Sequence, residues 1–230
     1  MIIQVAKNMR QAALKPMYPV LTRRIARKGP IHDPKAMFDY MARGNLGVLS
    51  AIQSREELIP VLETIKGASP STVLEIGTAN GGTLFLLTRV AAQDATIVSL
   101  DLPGGDWGGG YSEKRIPLYE AFALPGQTLR LLREDSHQPQ ALERVKQVFA
   151  GRTIDFLFID GDHSYEGVRS DFEMYGPLVT PGGYIGFHDI AYTEGVTRLW
   201  NEVKPSFAEA CEFIAKSGPV FGIGLGKTRV

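Results

Sequence analysis

The segment Val73-Leu74-Glu75-Ile76-Gly77-Thr78-Ala79-Asn80-Gly81-Gly82-Thr83 constrains the fold of this chain more than any other. A short apolar run carrying one acid leads into a glycine-rich turn, and the turn opens a helix. A strand must deliver the chain to such a turn, where glycine lets a ligand come against bare backbone. Twenty residues beyond Gly81, the run Ile97-Val98-Ser99-Leu100 ends in a second acid, Asp101. An acid closing the next strand lies beside the turn, where a carboxylate can meet the two hydroxyls of a ribose. Together the two features predict a nucleoside site.

From Thr72 onward, apolar runs at 73–76, 96–100, 128–132, 154–159 and 184–187 alternate with helical stretches at 83–92, 140–149 and 165–178. Strands that are apolar almost throughout and are separated by helices predict a parallel sheet covered on both faces. A helix near 196–203 then precedes two further strands, 212–215 and 220–224. Lys216-Ser217-Gly218-Pro219 joins them as a hairpin and adds an antiparallel edge. The expected fold is α/β: a Rossmann-like, doubly wound, mostly parallel seven-stranded sheet with an edge hairpin and a helical N-terminal extension. The extension, residues 1–67, contains helical pieces broken by Pro16, Pro19, Pro30 and Pro34. Its last helix starts at Ser54, with Glu57 at the capping-box position. Residues 68–230 form the binding domain.

The chain has 230 residues, 44% of them hydrophobic and 22% charged, the balance of an ordinary globular protein. A formal net charge of zero gives no global field to recruit nucleic acid or a membrane surface. Cys211 is the one cysteine, which rules out an internal disulfide framework and fits a reducing, cytoplasmic location. No apolar run approaches the ~20 residues of a membrane span. Residues 1–32 carry Lys7, Arg10, Lys15, Arg23, Arg24, Arg27 and Lys28 and no acid. That stretch is poor in serine and lacks an apolar core, so it reads as a solvated or subunit-contacting arm rather than a targeting peptide. A homo-oligomer through this arm is therefore an expectation.

Glycine-rich turns serve several nucleoside cofactors. The dinucleotide fingerprint Gly-x-Gly-x-x-Gly fails here, because Ala79 takes the place of its second glycine. The spacing is Glu-x-Gly-x-x-x-Gly, and Glu75 is unfavourable beside a pyrophosphate but suits a sulfonium and an amino group. At this point the chain resembles the class I S-adenosylmethionine (SAM)-dependent methyltransferases over about residues 72–190. The resemblance implies that Glu75, Gly77, Thr78 and Gly81 hold the methionine end of SAM and that Asp101 holds its ribose. Asp135 and Ser136, following Glu134 after the third strand, would border the adenine.

A second dense segment runs Phe156-Leu157-Phe158-Ile159-Asp160-Gly161-Asp162-His163-Ser164-Tyr165. Its strand releases two acids and a histidine at the sheet edge where ligands bind. The next strand ends likewise in His188-Asp189. Neighbouring parallel strands lie about 4.8 Å apart, so Asp160, His188 and Asp189 can converge on a divalent cation. The plainer alternative makes Asp162 a helix cap and His188 a packed core histidine. This half looks like the cation-dependent O-methyltransferases of the catechol and caffeoyl-CoA type. It looks still more like the cephalosporin hydroxylase-like group that includes macrolide-sugar methyltransferases. That resemblance implies magnesium on Asp160, His188 and Asp189, with Asp160 also bordering the SAM site. It places His163 where a lysine base stands in the catechol type, and His-Asp where that type has Asp-Asn.

The expected function is methyl transfer from SAM to a hydroxyl of a small molecule, a sugar or secondary metabolite, aided by the cation and by His163 as base. A metal-dependent oxygenase using His163, His188 and one aspartate is a second reading, and a nonenzymatic SAM-binding module a third. The glycine-rich loop 103–111, with Trp107 and Tyr111, reads equally as a lid or as a plain surface connection. Tyr165 and Trp200 read as packing residues.

Overall fold

The computed structural model describes residues 15–44, 48–104, 110–218 and 220–230. Its seven strands are β1 (Thr72–Ile76), β2 (Thr96–Asp101), β3 (Thr128–Arg133), β4 (Ile154–Ile159), β5 (Val179–His188), β6 (Glu209–Phe213) and β7 (Ile223–Lys227). They form one sheet in the order β3-β2-β1-β4-β5-β7-β6. The first five are parallel neighbours, and β7 pairs antiparallel with both β5 and β6. Strand order reverses between β1 and β4, so the carboxyl ends of those two strands flank the crevice where open α/β sheets bind ligands.

Helices cover both faces. Along β1, Val73 belongs to one apolar layer and Leu74 to the other, and Ile97 and Val98 divide in the same way on β2, as a two-residue side-chain period requires. One face carries α1 (Tyr18–Ala26), α2 (Pro34–Gly44), α3 (Arg55–Ala68), α4 (Gly82–Val90) and α5 (Ile116–Glu120). The other carries α6 (Pro139–Phe149), α7 (Tyr165–Tyr175) and α8 (Glu194–Val203). Every residue of α4 is buried, because the sheet covers one side and α2 and α3 the other; such a helix is apolar nearly all round. Tyr18, Leu21 and Ile25 of α1 and Met37 and Met41 of α2 share one core with Phe85 and Tyr119.

Proline starts these N-terminal helices rather than only breaking them. Pro19 lies in the first turn of α1 and Pro34 is the first residue of α2, positions where a missing N–H costs nothing. Arg23, Arg24, Arg27 and Lys28 are exposed; Lys7 and Arg10 lie outside the described residues. Among the described residues no helix is long and apolar enough to cross a membrane.

The edge strands lie two to three residues outward from their expected positions, at Glu209–Phe213 and Ile223–Lys227 rather than 212–215 and 220–224. The cause is tertiary. Glu57 closes the capping box with Ser54, but its buried carboxylate also accepts the N–H groups of Ala215, Phe221 and Gly222 at 3.2, 3.1 and 2.8 Å. Those three amides cannot pair in a ladder while they point at Glu57, so the strands end on either side of them. Burial opposes the Glu57 anion, yet the hydrogen bonds from Gly222 and Ser54 outweigh it and hold the carboxyl below its usual 4.5. Glu57→Gln turns one acceptor into a donor facing donors and should cost about 2–3 kcal/mol. A lowered native pKa stabilises above the unfolded value and is lost as pH falls, so denaturant titrations should show the gap to wild type closing below pH 4.5.

Candidate active site

The turn after β1 is tied down by its own chain. Gly77 has φ +91° and a Cβ there would lie 2.0 Å from the carbonyl oxygen of Asp160; at Gly81, φ +73°, it would strike the Tyr119 ring at 2.6 Å. Glycine is thus required by the close approach of β4 and of α5, not by a ligand alone. The N–H groups of Gly77, Thr78, Ala79 and Gly81 are donated to Leu100, Asp101, Asp101 and Thr78. With those four spent internally, they form no nest for a pyrophosphate.

Asp101 ends β2 beside this turn, as its spacing implied. Its Oδ2 accepts Thr78 and Ala79 at 3.0 and 2.9 Å, and its Oδ1 accepts Leu102 and Gly110 at 2.8 and 2.9 Å. Burial raises its pKa against those four bonds. Glu75 is fully buried on the Val73 face of β1, and neither oxygen has a hydrogen-bond partner. The hydroxyls of Thr78 and Ser99 lie next to it but are bonded to each other. Burial, with Asp160 and Asp101 adding like charge, pushes the Glu75 carboxyl well above the usual range. An orphaned buried carboxylate under a glycine turn suits a cationic ligand group.

Across the switch point, Asp160, His163, His188 and Asp189 bring one ligand atom each within 4.8 Å of the others. Nδ1 of His188 stands 2.8 Å from Asp160 Oδ1 and 3.3 Å from Asp189 Oδ2. Nε2 of His163 stands 3.2 Å from Asp189 Oδ2 and 3.6 Å from Asp160 Oδ1. Asp189 adopts the left-handed conformation, φ +66°, a strain that persists where the surroundings enforce it. Asp189 Oδ1 and His188 Nε2 are buried without partners. Burial disfavours the His188 cation, yet Asp160 and Asp189 overcome this and push its pKa up to about 10. The Asp160 carboxylate raises His163 as well. Burial penalises the Asp160 anion, but His188 and His163 hold its pKa below 3.8.

Two donors on one cation at about 2.1 Å each stand at most about 4.2 Å apart, so shifts of a few tenths of an ångström let this cluster close on an ion. Two carboxylates and two imidazoles suit a divalent metal. His188 also packs against Phe221, ring centroids 5.7 Å apart, so the packed-histidine alternative and the ligand reading describe the same residue. Asp162 accepts the N–H of Ser164, and Ser164 caps α7.

Asp135 and Ser136 follow β3 at the same sheet edge. Asp135 accepts the His137 N–H and the Gln138 amide, and the Ser136 carbonyl accepts the Tyr175 hydroxyl. His137 reaches buried Asp171 at 3.4 Å, and that carboxylate first of all raises the imidazole pKa to about 9. In the loop after β2, Tyr111 is buried and meets Tyr119 edge-on at 4.8 Å; residues 105–109, with Trp107, lie outside the described residues. Trp200 is core, and the Tyr165 hydroxyl donates to Glu202.

Gln53 carried no sequence signal, yet its Nε2 donates to Asp160 Oδ2 at 2.7 Å. An amide between two helices has no recognisable spacing, and only the tertiary fold brings it here.

Residues 74–190, just over half of the chain, match a family model described as "Methyltransferase domain". An uncharacterized protein of Acanthamoeba polyphaga mimivirus is 33% identical over 118 residues, 51% of each chain. Another, of Sinorhizobium fredii, is 30% identical over 149 residues, 60% of this chain and 16% of its own. The chain thus spans about half or less of the length of these relatives. Among solved structures, an O-methyltransferase from Bacillus cereus in complex with SAH superposes with TM-score 0.56 at 17% identity, covering 88% of this chain and 93% of that one. TomG of Streptomyces achromogenes, involved in tomaymycin synthesis and in complex with SAM, gives 0.54 at 13%, covering 92% and 96%. MycE, from the mycinamycin pathway and in complex with Mg and SAH, gives 0.58 at 16%, covering 88% and 56%. These likenesses establish a shared Rossmann-like methyltransferase fold, and the match over residues 74–190 shows that the chain belongs to the methyltransferase-domain family.

Proposed function

We propose that this chain is a SAM-dependent O-methyltransferase acting on a hydroxyl of a small molecule, a sugar or secondary metabolite, with a divalent cation beside the methyl donor. The observation that carries this reading is the contact of two sites. Gly77 and Asp160 touch backbone to backbone, and the Asp160 N–H donates to Ile76 at 2.8 Å. A donor held on the turn and a cation held on Asp160 are therefore immediate neighbours.

In this scheme Glu75, Gly77, Thr78 and Gly81 surround the methionine end, Asp101 takes the ribose hydroxyls in exchange for the loop N–H bonds to its Oδ1, and Asp135 and Ser136 border the adenine. Asp160, His188 and Asp189 would hold the cation, with magnesium favoured, and Asp160 would also line the donor site. The cation, when bound, supplies positive charge that favours the deprotonated hydroxyl and offsets the two carboxylates. His163 is the most exposed of the four cluster residues, so its imidazole can reach an acceptor. The His163 imidazole, neutral once a cation offsets the two carboxylates beside it, takes the hydroxyl proton, the acceptor oxygen forms a bond to the methyl carbon, and the C–S bond breaks with its electrons going to sulfur. An oxygenase reading leaves Glu75 and the turn without a task.

The test is SAM consumption over a panel of hydroxylated metabolites. A chelator should abolish it and added magnesium restore it. His163→Ala should lower turnover by about 10²–10⁴ while SAM affinity measured by calorimetry changes much less. SAM binding that is absent with and without magnesium would sink the proposal.

A further inference from the structure

Gln53 lies between α2 and α3, outside the stretch that the family model matches. Its side chain is buried and used at both ends. Nε2 donates to Asp160 Oδ2 at 2.7 Å, and Oε1 accepts the hydroxyl of buried Thr83 at 3.0 Å. Thr83 stands in the first turn of α4, directly after Gly81 and Gly82. The backbone that carries Gln53 is equally fixed. A Cβ on Gly82 would lie 2.3 Å from the backbone of Ser50 and Ala51, so the segment approaching Gln53 lies flat on the glycine turn.

Chemistry narrows what this side chain is for. A primary amide can donate to a carboxylate at one end and accept from a hydroxyl at the other while carrying no charge. An apolar side chain would fill the same space without the cost of desolvating an amide. Asp160 has two oxygens, and the one that Gln53 does not hold, Oδ1, is the one facing His188 and His163. Resting on the proposed cation site, we infer that Gln53 is a positioning residue. It fixes the plane of the Asp160 carboxylate so that Oδ1 faces the cluster, and Thr83 fixes Gln53. The segment before β1 thereby completes the metal centre, and the centre is braced against the helix that opens at the donor turn. Residues that orient a metal ligand in this way affect metal affinity by about 10–100-fold when removed.

The experiment is a calorimetric Mn2+ titration of the full chain, backed by the electron paramagnetic resonance spectrum of the bound ion, with the Tm of the metal-free protein reporting the fold separately. Gln53→Met should weaken Mn2+ by about 10–100-fold and broaden the resonance as the carboxylate gains freedom. Thr83→Val, which removes only the brace, should weaken Mn2+ by a smaller factor in the same direction. If Gln53→Met fails to fold, Thr83→Val and Gln53→Asn decide the question by the same titration. Variants that bind Mn2+ within about twofold of wild type overturn the inference and leave the proposed function standing. A wild-type chain that binds no Mn2+ overturns the cation site itself, and this inference with it.

Discussion

Asp160→Asn is expected to lower methyl transfer at least about a hundredfold and to weaken Mn2+ by a similar factor, with the fold retained. The magnitude follows from position: loss of a residue that merely orients a ligand costs about 10–100-fold in metal affinity, and Asp160 is placed as a ligand. The fold survives because asparagine matches the shape of aspartate. Its carbonyl oxygen can still accept from Gln53, which now reaches Oδ2 at 2.7 Å. Its amide then meets Nδ1 of His188, which stands 2.8 Å from Oδ1, and a neutral imidazole accepts there. Only the charge is lost. A variant with unchanged Mn2+ affinity and turnover would remove Asp160 from the site.

The same substitution has a signature in pH that needs no substrate. In the wild type, the carboxylates of Asp160 and Asp189 overcome burial and raise His188 from 6.5 to about 10. A raised native pKa contributes stability that is whole below the unfolded value and fades as pH rises through the native one. Metal-free wild type should therefore lose Tm progressively from about pH 6.5 towards pH 10. Asp160 contributes the opposite limb, present above 3.8 and lost as pH falls below it. Asp160→Asn should flatten both limbs. Thermal melts across that range give the comparison, and superimposable profiles would contradict the charge pairing.

The parallel sheet was legible because its strands are buried on both sides: β1 and β2 are buried at every position, so they read as near-continuous apolar runs. The positions of the candidate residues at strand ends were legible for a related reason, since a run such as Phe156–Ile159 stops abruptly at Asp160. Contacts made across the sequence were not. Glu57 has the spacing of a capping box and fulfils it, yet its hold on Ala215, Phe221 and Gly222 spans more than 150 residues and moved the hairpin outward. Gln53 had no pattern at all. The spacing of Asp101 implies a ribose acid, and nothing in that spacing announces that both oxygens also accept backbone N–H groups from the turn and the following loop. Tyr111 sits among glycines in a loop that reads equally as a lid or a surface connection, and no spacing announces that its ring packs against Tyr119 and Arg133.

Gly77→Ala should be among the most damaging single substitutions in the chain, and its damage should fall on both ligands at once. Two costs coincide at this residue. A left-handed φ of +91° penalises any side chain, by about 1–3 kcal/mol for alanine. The added Cβ would also stand 2.0 Å from the Asp160 carbonyl oxygen and 2.5 Å from its carbon, and backbone atoms cannot rotate aside. Relief requires β1 and β4 to part at their carboxyl ends, where Asp160 donates to Ile76. Gly151 separates the two costs: its φ is +81° but nothing lies within 4 Å of a Cβ there, so Gly151→Ala should lose only about 1 kcal/mol. Gly77→Ala should lose about 3 kcal/mol or more. Because the parting moves the donor turn away from the residues proposed to hold the cation, SAM and Mn2+ affinities should fall together. Denaturant titration and calorimetry measure the two effects. A Gly77→Ala protein as stable as Gly151→Ala, binding both ligands normally, would mean that the turn and Asp160 do not meet as they do here.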